Sequence, residues 1–367
     1  MKAVVLAALL AAAPLRPGAV PGQLASRAAA FVLVEARTGQ VLAQHNARLA
    51  WPPASTTKVL TALLVAESLD PDAVVTVSRR AASLRQGAGV GLRAGERRSV
   101  RDLFYAMLLA SANDAAVALA EAAAGSLEAF VQRMNRRARE LGALHTHFVN
   151  PHGLYHPLHR STAYDLAVLA RAALQNPRVA EAVATPEYLY PGEAGPRRLV
   201  NRNRLLFTYP GANGVKTGWI AESGPCLVAS ARRGDRTLIA VVLNSPRVFE
   251  DASQLLDFGF DAYELRVLAR PQQPVAETGL PGGRTLQATV AGELVWSVAR
   301  GSRVQLQPRW EAGLQPPVRA GQPVGRVDVV VDGQVQVRVP LVALNSVEIR
   351  PSAGGVLRWL WEFVRRR

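Results

Sequence analysis

The apolar positions of this 367-residue chain change their spacing near residue 270. Before that point, apolar residues at three- and four-residue intervals predict amphipathic helices, and short continuous apolar runs predict buried strands. After Pro271, alternating runs separated by turns predict a small all-β domain. Asp332-Gly333 between two such runs predicts a hairpin. We therefore expect a mixed domain over residues 26–270 and a β-rich domain over residues 271–350.

Within the mixed domain, the longest helical pattern runs from Val59 to Leu69 and follows Pro52-Pro53, so Ser55 or a close neighbour should begin this helix. Further helices are predicted over 103–109, from residue 115, over 162–174 and over 251–265. Strands are predicted over 31–35, 41–43, 74–77, 226–231 and 237–243. The first two strands should form a hairpin that turns at Gly39, and the last two should form another.

The two ends of the chain have patterns of their own. Lys2 precedes an apolar run over residues 3–13 that is too short to span a bilayer, which predicts a secretory signal peptide over residues 1–25. The alternative is a buried helix. Residues 351–367 hold a Gly-containing linker and then an apolar stripe ending in arginines, which predicts an amphipathic helix that anchors the protein to a membrane surface. The alternative is a helix docked on the β-rich domain.

The composition narrows the class of protein. Hydrophobic residues make up 49% and charged residues 19% of the chain, as in a globular protein. The net charge of +15 is compatible with an anionic partner, but the arginines are scattered and no nucleic-acid motif accompanies them, so nucleic-acid binding is not predicted. The single cysteine, Cys226, excludes an internal disulfide and a cysteine-based zinc site.

Lysine usage points to candidate chemistry. Only three of the 43 Lys and Arg residues are lysine: Lys2, Lys58 and Lys216. Lysine loses its proton once it is desolvated, whereas arginine effectively never does. Lys2 is explained by the signal peptide. We therefore expect that Lys58 and Lys216 have functions that arginine cannot perform.

Three short segments carry this chemistry. Ser55 and Lys58 are three residues apart, so on a first helical turn their side chains can meet. Ser111-Ala112-Asn113 follows an apolar helix and should lie at a helix–helix corner, although an ordinary capping turn has the same residues. Lys216-Thr217-Gly218 lies on or beside a strand, where the glycine lets a ligand approach the backbone.

Five of the six histidines lie between His145 and His159. Histidine-rich tracts can bind zinc. However, Pro151, Gly153 and Pro157 interrupt any regular face, and no His-Glu-x-x-His helix is present. We therefore predict structural hydrogen bonds from one or two of these histidines, no metal site and no cofactor.

A serine is a weak nucleophile unless a neighbouring group takes its proton. A neutral Lys58 could do so, and a second cation at Lys216 would lower its proton affinity. Ser-x-x-Lys, Ser-x-Asn and Lys-Thr-Gly occur here in the order found in β-lactamases and penicillin-binding proteins. With Asn150-Pro151-His152-Gly153-Leu154 and the β-rich second domain, the chain resembles the low-molecular-weight penicillin-binding proteins, the D-alanyl-D-alanine carboxypeptidases of peptidase family S11.

The resemblance implies an α+β fold: a serine β-lactamase/transpeptidase-like domain, with an antiparallel sheet flanked by helices and a helical subdomain, followed by a small all-β domain. It implies Ser55 as the acylated nucleophile, Lys58 as the base and Ser111 as a relay. Substrate-binding residues would be Asn113, Lys216, Thr217, Gly218, Trp219, Arg202 and Arg247. The backbone N–H groups of Ser55 and Trp219 would form the oxyanion hole.

Two features depart from related patterns. Ser111-Ala112-Asn113 lacks the aspartate of the Ser-Asp-Asn form, and residues 114–215 contain no Glu-x-x-x-Asn spacing, so a class A β-lactamase is disfavoured. Trp219 after Lys-Thr-Gly is bulkier than expected.

The implied function is release of the terminal D-alanine from peptidoglycan stem pentapeptides, with β-lactam antibiotics as covalent inhibitors, at the outer face of the cytoplasmic membrane. Alternatives on the same fold are a β-lactamase, a D,D-endopeptidase, and an inactive binding or sensor module.

Overall fold

The computed structural model describes residues 28–192, 195–348 and 365. The chain divides into two compact units, and the boundary along the sequence falls between Tyr263 and Glu264. The sequence pattern puts this boundary at residue 270. The two positions differ because β10 (Tyr263–Ala269), predicted in part as helix, is a strand that pairs with β13 (Leu294–Ala299).

The signal peptide and the anchoring helix predicted at the two ends lie outside the described residues, apart from Arg365. Within residues 28–192 and 195–348, no helix combines the length and the apolar character needed to cross a membrane.

The strands of the first unit are β1 (Ala30–Glu35), β2 (Val41–His45), β3 (Val74–Thr76), β4 (Arg97–Ser99), β5 (Glu187–Gly192), β6 (Gly195–Val200), β7 (Ala212–Ile220), β8 (Gly224–Arg233) and β9 (Arg236–Leu243). Five of them form an antiparallel sheet in the order β2-β1-β9-β8-β7. The predicted hairpins β1–β2 and β8–β9 are confirmed.

The helices are α1 (Lys58–Ser68), α2 (Arg79–Ser83), α3 (Val100–Leu109), α4 (Asn113–Ala124), α5 (Leu127–Glu140), α6 (Ala163–Leu174), α7 (Pro177–Ala184), α8 (Leu205–Thr208) and α9 (Val248–Ala262). Ser99 caps the start of α3, since its Oγ accepts the backbone N–H of Asp102 at 3.0 Å. The predicted helix over residues 251–265 is α9, which begins earlier and ends where β10 begins.

The central strands are apolar on both faces because helices cover both sides of the sheet. Val32 and Val241 belong to the large core shared with the helices. Leu33 and Leu238 point the other way, toward α9, where a Cβ on Gly259 would lie 2.6–2.7 Å from their side chains. Neighbouring residues of a strand point to opposite faces, so β1 and β9 appear in the sequence as continuous apolar runs.

The second unit contains β10 and β13 as one pair and a five-stranded antiparallel sheet in the order β11-β12-β16-β15-β14. The strands of that sheet are β11 (Ala276–Leu280), β12 (Arg284–Val290), β14 (Val304–Trp310), β15 (Pro323–Val331) and β16 (Gln334–Ala343). The hairpin predicted at Asp332-Gly333 joins β15 to β16, with φ of 48° and 80° at its two turn residues. Over residues 264–348 this unit is all-β, as predicted.

Candidate active site

Ser55 lies in a single turn of 3₁₀ helix, Ala54–Thr57, that leads directly into α1. Two hydroxyls close this turn: Thr56 Oγ1 donates to the carbonyl of Pro53 at 2.6 Å, and Thr57 Oγ1 donates to the carbonyl of Ala54 at 2.8 Å. Ala54 has a φ of 49°. Such left-handed conformations of non-glycine residues cost free energy and cluster at functional sites.

His159 supports the turn from inside the protein. Its Nδ1 accepts the backbone N–H of Val149 at 3.1 Å, and its Nε2 lies 2.8 Å from Thr57 Oγ1. Because the Thr57 hydroxyl proton is directed to Ala54, Nε2 is the protonated ring nitrogen and donates to Thr57. Burial lowers the pKa of His159 to about 3, so the ring is neutral. This is one of the structural hydrogen bonds predicted for the histidine segment.

Lys58 is fully buried, and its amine has three polar neighbours. Nζ lies 3.0 Å from Ser55 Oγ, and it donates to Asn113 Oδ1 and to the backbone carbonyl of His152, both at 2.7 Å. Burial lowers the pKa of Lys58 well below its ordinary value, and the positive charges of Lys216 and Arg202 lower it further.

The loop Asn150–Leu154 brings the His152 carbonyl to Lys58. Asn150 Oδ1 accepts the backbone N–H of Gly153 at 2.6 Å, and Asn150 Nδ2 donates to the carbonyl of Leu154 at 2.9 Å. Thr61 Oγ1 on α1 donates to the carbonyl of Pro151 at 2.7 Å. The loop is thus held both by its own asparagine and by α1.

Ser111 lies at the corner between α3 and α4, as the sequence predicts. Its φ is 64° and its side chain is buried. Asn113 opens α4, and besides accepting from Lys58 it donates from Nδ2 to the carbonyl of Gln86 at 3.0 Å. Asn113 therefore joins Lys58 to the loop before β4.

The buried carboxylate of Asp114 fixes that same loop. It accepts the backbone N–H groups of Val90, Gly91 and Leu92 at 2.8–3.2 Å. A Cβ on Gly89 would lie 3.1 Å from this carboxylate, so the loop passes close to the start of α4.

Lys216 and Thr217 lie on β7, the edge strand of the sheet, and Gly218 follows them. A Cβ on Gly218 would lie 3.0 Å from the carbonyl oxygen of Pro53 and 3.1 Å from the backbone nitrogen of Thr56. The glycine therefore allows β7 to pack directly against the turn that carries Ser55. Lys216 is buried, and its Nζ donates to the carbonyl of Thr217 at 3.1 Å.

Arg202 lies in an exposed position between two buried asparagines. Asn203 Nδ2 donates to the carbonyl of Gly214 at 2.7 Å and so ties the segment to β7. Burial lowers the pKa of Lys216 to about 7, and the positive charge of Arg202 adds to this effect. Three cationic or potentially cationic side chains, Lys58, Lys216 and Arg202, thus interact at this site.

A cavity of about 750 Å³ opens above these groups. Predicted site residues that line it are Ser55, Ser111, Asn113, Arg202, Thr217, Gly218 and Trp219. Arg247 is not among the lining residues; its guanidinium pairs with the carboxylate of Glu250 at the start of α9. Trp219 is 67% exposed and stands at the rim.

Several groups that shape this site were not identified from the sequence. The His152 carbonyl and the loop at Gln86 act through backbone or buried contacts that no motif spacing reveals. Asp114, next to Asn113, could have been identified from the sequence, because an acidic residue in the first turn of a predicted helix is a recognisable pattern. Within the described residues, no group of three or more His, Cys, Asp or Glu side chains is arranged to hold a metal ion.

The fold and this geometry define a class: active-site serine enzymes in which a serine and a buried lysine share a helical turn, opposite a Lys-Thr-Gly strand. The family model described as "D-alanyl-D-alanine carboxypeptidase" matches residues 18–247, and that described as "Penicillin-binding protein 5, C-terminal domain" matches residues 281–349. The chain belongs to peptidase family S11, the D-alanyl-D-alanine carboxypeptidases.

Individual relatives are similar to this protein along most of its chain. D-alanyl-D-alanine carboxypeptidase DacF of Bacillus subtilis is 36% identical over 340 residues, covering 89% of this chain and 87% of the relative. DacC of Escherichia coli is 33% identical over 357 residues, covering 92% and 87%. The crystal structure of penicillin binding protein 5 from Haemophilus influenzae is similar with a TM-score of 0.81 at 26% identity, covering 90% of this chain and all of that one.

Proposed function

We propose that this enzyme removes the terminal D-alanine from peptidoglycan stem pentapeptides through an acyl-enzyme on Ser55, and that penicillin acylates the same serine. The observation that carries the proposal is the buried Lys58 amine, 3.0 Å from Ser55 Oγ and with a lowered pKa. Family membership supports the reaction and the substrate class.

The lowered pKa of Lys58 favours its neutral amine, and its three polar neighbours can accommodate that form. A neutral amine has two N–H bonds and one lone pair, whereas an ammonium has three N–H bonds and no lone pair. The Asn113 amide oxygen and the His152 carbonyl can only accept hydrogen bonds, so they take the two N–H groups. The lone pair then faces the Ser55 hydroxyl, whose proton it can remove.

In the acylation step, Ser55 Oγ attacks the carbonyl carbon of the D-Ala–D-Ala bond while its proton passes to Lys58. The C–N bond breaks, and the proton is returned to the departing amine through Ser111. The backbone N–H groups of Ser55 and Trp219 would donate to the carbonyl oxygen as it becomes negative. Water then attacks the ester, with Lys58 again as base, and releases the shortened peptide and free Ser55.

The terminal carboxylate of the substrate needs a cation, and Lys216 and Arg202 are the candidates. Thr217, which lines the cavity, can donate a hydrogen bond to the same carboxylate from its hydroxyl group. The pKa of Lys216 is about 7 in the free enzyme. A bound carboxylate favours the charged form of Lys216, so binding raises this pKa. Asn113 would orient the peptide backbone.

A penicillin pulse followed by mass spectrometry tests the mechanism. The peptide containing Ser55 should carry the penicilloyl adduct, and the same enzyme should release D-alanine from a pentapeptide. Slow loss of the adduct fits a carboxypeptidase, whereas rapid penicillin turnover would indicate a β-lactamase. An unmodified Ser55 would refute the proposal.

We also propose export and peripheral attachment to the outer face of the cytoplasmic membrane. This rests on the signal peptide and amphipathic helix predicted from the sequence, and on the location of the stem peptides outside the cell. Deleting residues 351–367 should move the protein from the membrane fraction to the soluble fraction while penicillin binding continues. Unchanged partitioning would refute the anchor.

A further inference from the structure

The cavity carries an acidic side chain that the proposed mechanism does not use. Among the described residues that line it, Glu222 is the one acid. It is exposed, and no hydrogen bond or ion pair joins its carboxylate to any part of the chain that the structure describes. The chain has 43 Lys and Arg residues against 28 Asp and Glu. An acid left without a partner in so basic a protein is available to a ligand.

The turn that carries Glu222 is held in place. Glu222 lies between β7 and β8, where the backbone N–H of Ser223 donates to the carbonyl of Ile220 at 3.2 Å. Trp51 Nε1 donates to the carbonyl of Ser223 at 2.9 Å. A Cβ on Gly224 would lie 2.1 Å from Asn244 Oδ1, so the chain after the turn packs closely against the neighbouring strand end.

The cavity that Glu222 lines also carries aromatic side chains. Trp219 is 67% exposed and Tyr155 is 49% exposed, and Phe249 lines the same cavity. Exposed aromatic faces bind aliphatic chains through their area and attract cations through their ring electrons. A carboxylate in the same cavity as such faces suits an ammonium group on an aliphatic arm.

The spacing along β7 matches a ligand with charges at both ends. Ile220 lies four positions after Lys216, so the strand covers on the order of 13 Å before the turn that carries Glu222. Three extended peptide residues span about 10 Å, and a side-chain arm adds several ångströms. A peptide whose carboxylate lies at Lys216 can therefore bring an amine on its third residue from the end to Glu222.

We infer that Glu222 binds the side-chain ammonium group of the diamino acid that precedes D-Ala–D-Ala in the stem peptide, with Trp219 and Tyr155 contacting its aliphatic arm. The inference rests on the proposed function, because it places that substrate's carboxylate at Lys216. It makes Glu222 a specificity-determining residue that distinguishes a free diamino acid from one whose amine is already cross-linked.

The test compares three tripeptides that end in L-Lys-D-Ala-D-Ala and differ only at the lysine amine: free, acetylated or succinylated. The full chain should cleave the free-amine peptide with a kcat/KM about two- to fivefold above the acetylated one, the range expected of one solvent-exposed ion pair. Glu222→Gln should bring this ratio close to one. Glu222→Lys should favour the succinylated peptide, whose arm is anionic.

Asp235→Asn is the matched control, because Asp235 is an exposed acid on the β8–β9 turn, at the other end of β8, and does not line the cavity. It should keep the wild-type ratio. Equal cleavage of the free and acetylated peptides by the wild type, or an unchanged ratio in Glu222→Gln, would overturn the inference. If no peptide releases D-alanine, the proposed function fails. The inference is then tested by measuring how strongly each peptide protects Ser55 from acylation by penicillin. The free-amine peptide must protect better than the acetylated one.

Discussion

Gly153 lies directly against the residue before the candidate nucleophile: a Cβ on Gly153 would lie 1.8 Å from the carbonyl oxygen of Ala54. Gly153 also has a φ of 87°, a conformation that favours glycine. The preceding residue, His152, gives its carbonyl to Lys58 at 2.7 Å. The absence of one side chain thus allows the loop to reach both Ser55 and Lys58.

We predict that Gly153→Ala displaces this loop and slows penicillin acylation of Ser55 by at least about tenfold, since a misplaced lysine is a poor base. The strained φ and the steric clash should together lower the free energy of unfolding by about 2–4 kcal/mol. Gly142→Ala is the control, because Gly142 has a φ of 90° but open space around it. Equal acylation rates in the two variants would contradict the prediction.

Lys58→Arg tests whether the base must be able to lose its proton. Arginine keeps the positive charge but cannot act as a neutral amine. We predict that the rate of penicilloyl-enzyme formation falls by about 10²–10⁴, the usual contribution of a positioned general base. Reactions with penicillin that are quenched at successive times and analysed by mass spectrometry measure this rate. Thermal unfolding checks that the variant is folded. A folded variant that acylates at the wild-type rate would exclude Lys58 as the base.

Lys216 should determine an alkaline limb in the pH profile. Its pKa of about 7 means that the free enzyme loses this cation as the pH rises through 7. Carboxylate binding should weaken in the same range, so kcat/KM for D-alanine release should fall above an apparent pKa near 7. The decrease with rising pH should be smaller in kcat than in kcat/KM, because bound substrate raises the pKa of Lys216.

Lys216→Arg distinguishes this cause from others. An arginine remains charged throughout the accessible pH range, so the variant should lose the alkaline limb even if its maximal kcat/KM is lower. A limb that persists near pH 7 in Lys216→Arg would assign it to another group.

Sequence patterns predicted the central hairpins, the start of α1 and the turn at Asp332 because each depends on local spacing or on a turn residue. The meeting of Ser55 with Lys58 also follows from spacing, since three residues make about one helical turn. The loop of Gly153 could not be placed in this way, because it approaches Ala54 and Lys58 from a distant part of the chain: His152 and Lys58 are 94 residues apart. Glu222 was not identified from the sequence. Its proposed role as a ligand for the substrate depends on its having no partner among the described residues, and only the fold reveals this.

The buried histidines should make the fold sensitive to acid. The pKa values of His152 and His159 are about 3 in the folded protein, mainly because burial disfavours the charged ring, against an ordinary value of 6.5. Between these values the unfolded chain binds protons that the folded chain does not. Stability is therefore complete above pH 6.5 and is lost as the pH falls toward 3, by about 1.4 kcal/mol per pH unit for each histidine.

We predict that His159→Gln removes one of these two contributions, so its free energy of unfolding declines less steeply below pH 6.5 by about 1.4 kcal/mol per unit. Near pH 7 the variant should be about 1–3 kcal/mol less stable, because glutamine cannot reproduce both contacts of the ring, to Thr57 and to Val149. Urea denaturation from pH 4 to 7 measures both effects. His156→Gln, at an exposed position in the same loop, is the control and should retain the wild-type slope. A wild-type slope in His159→Gln as well would mean that His159 is not a source of the acid sensitivity.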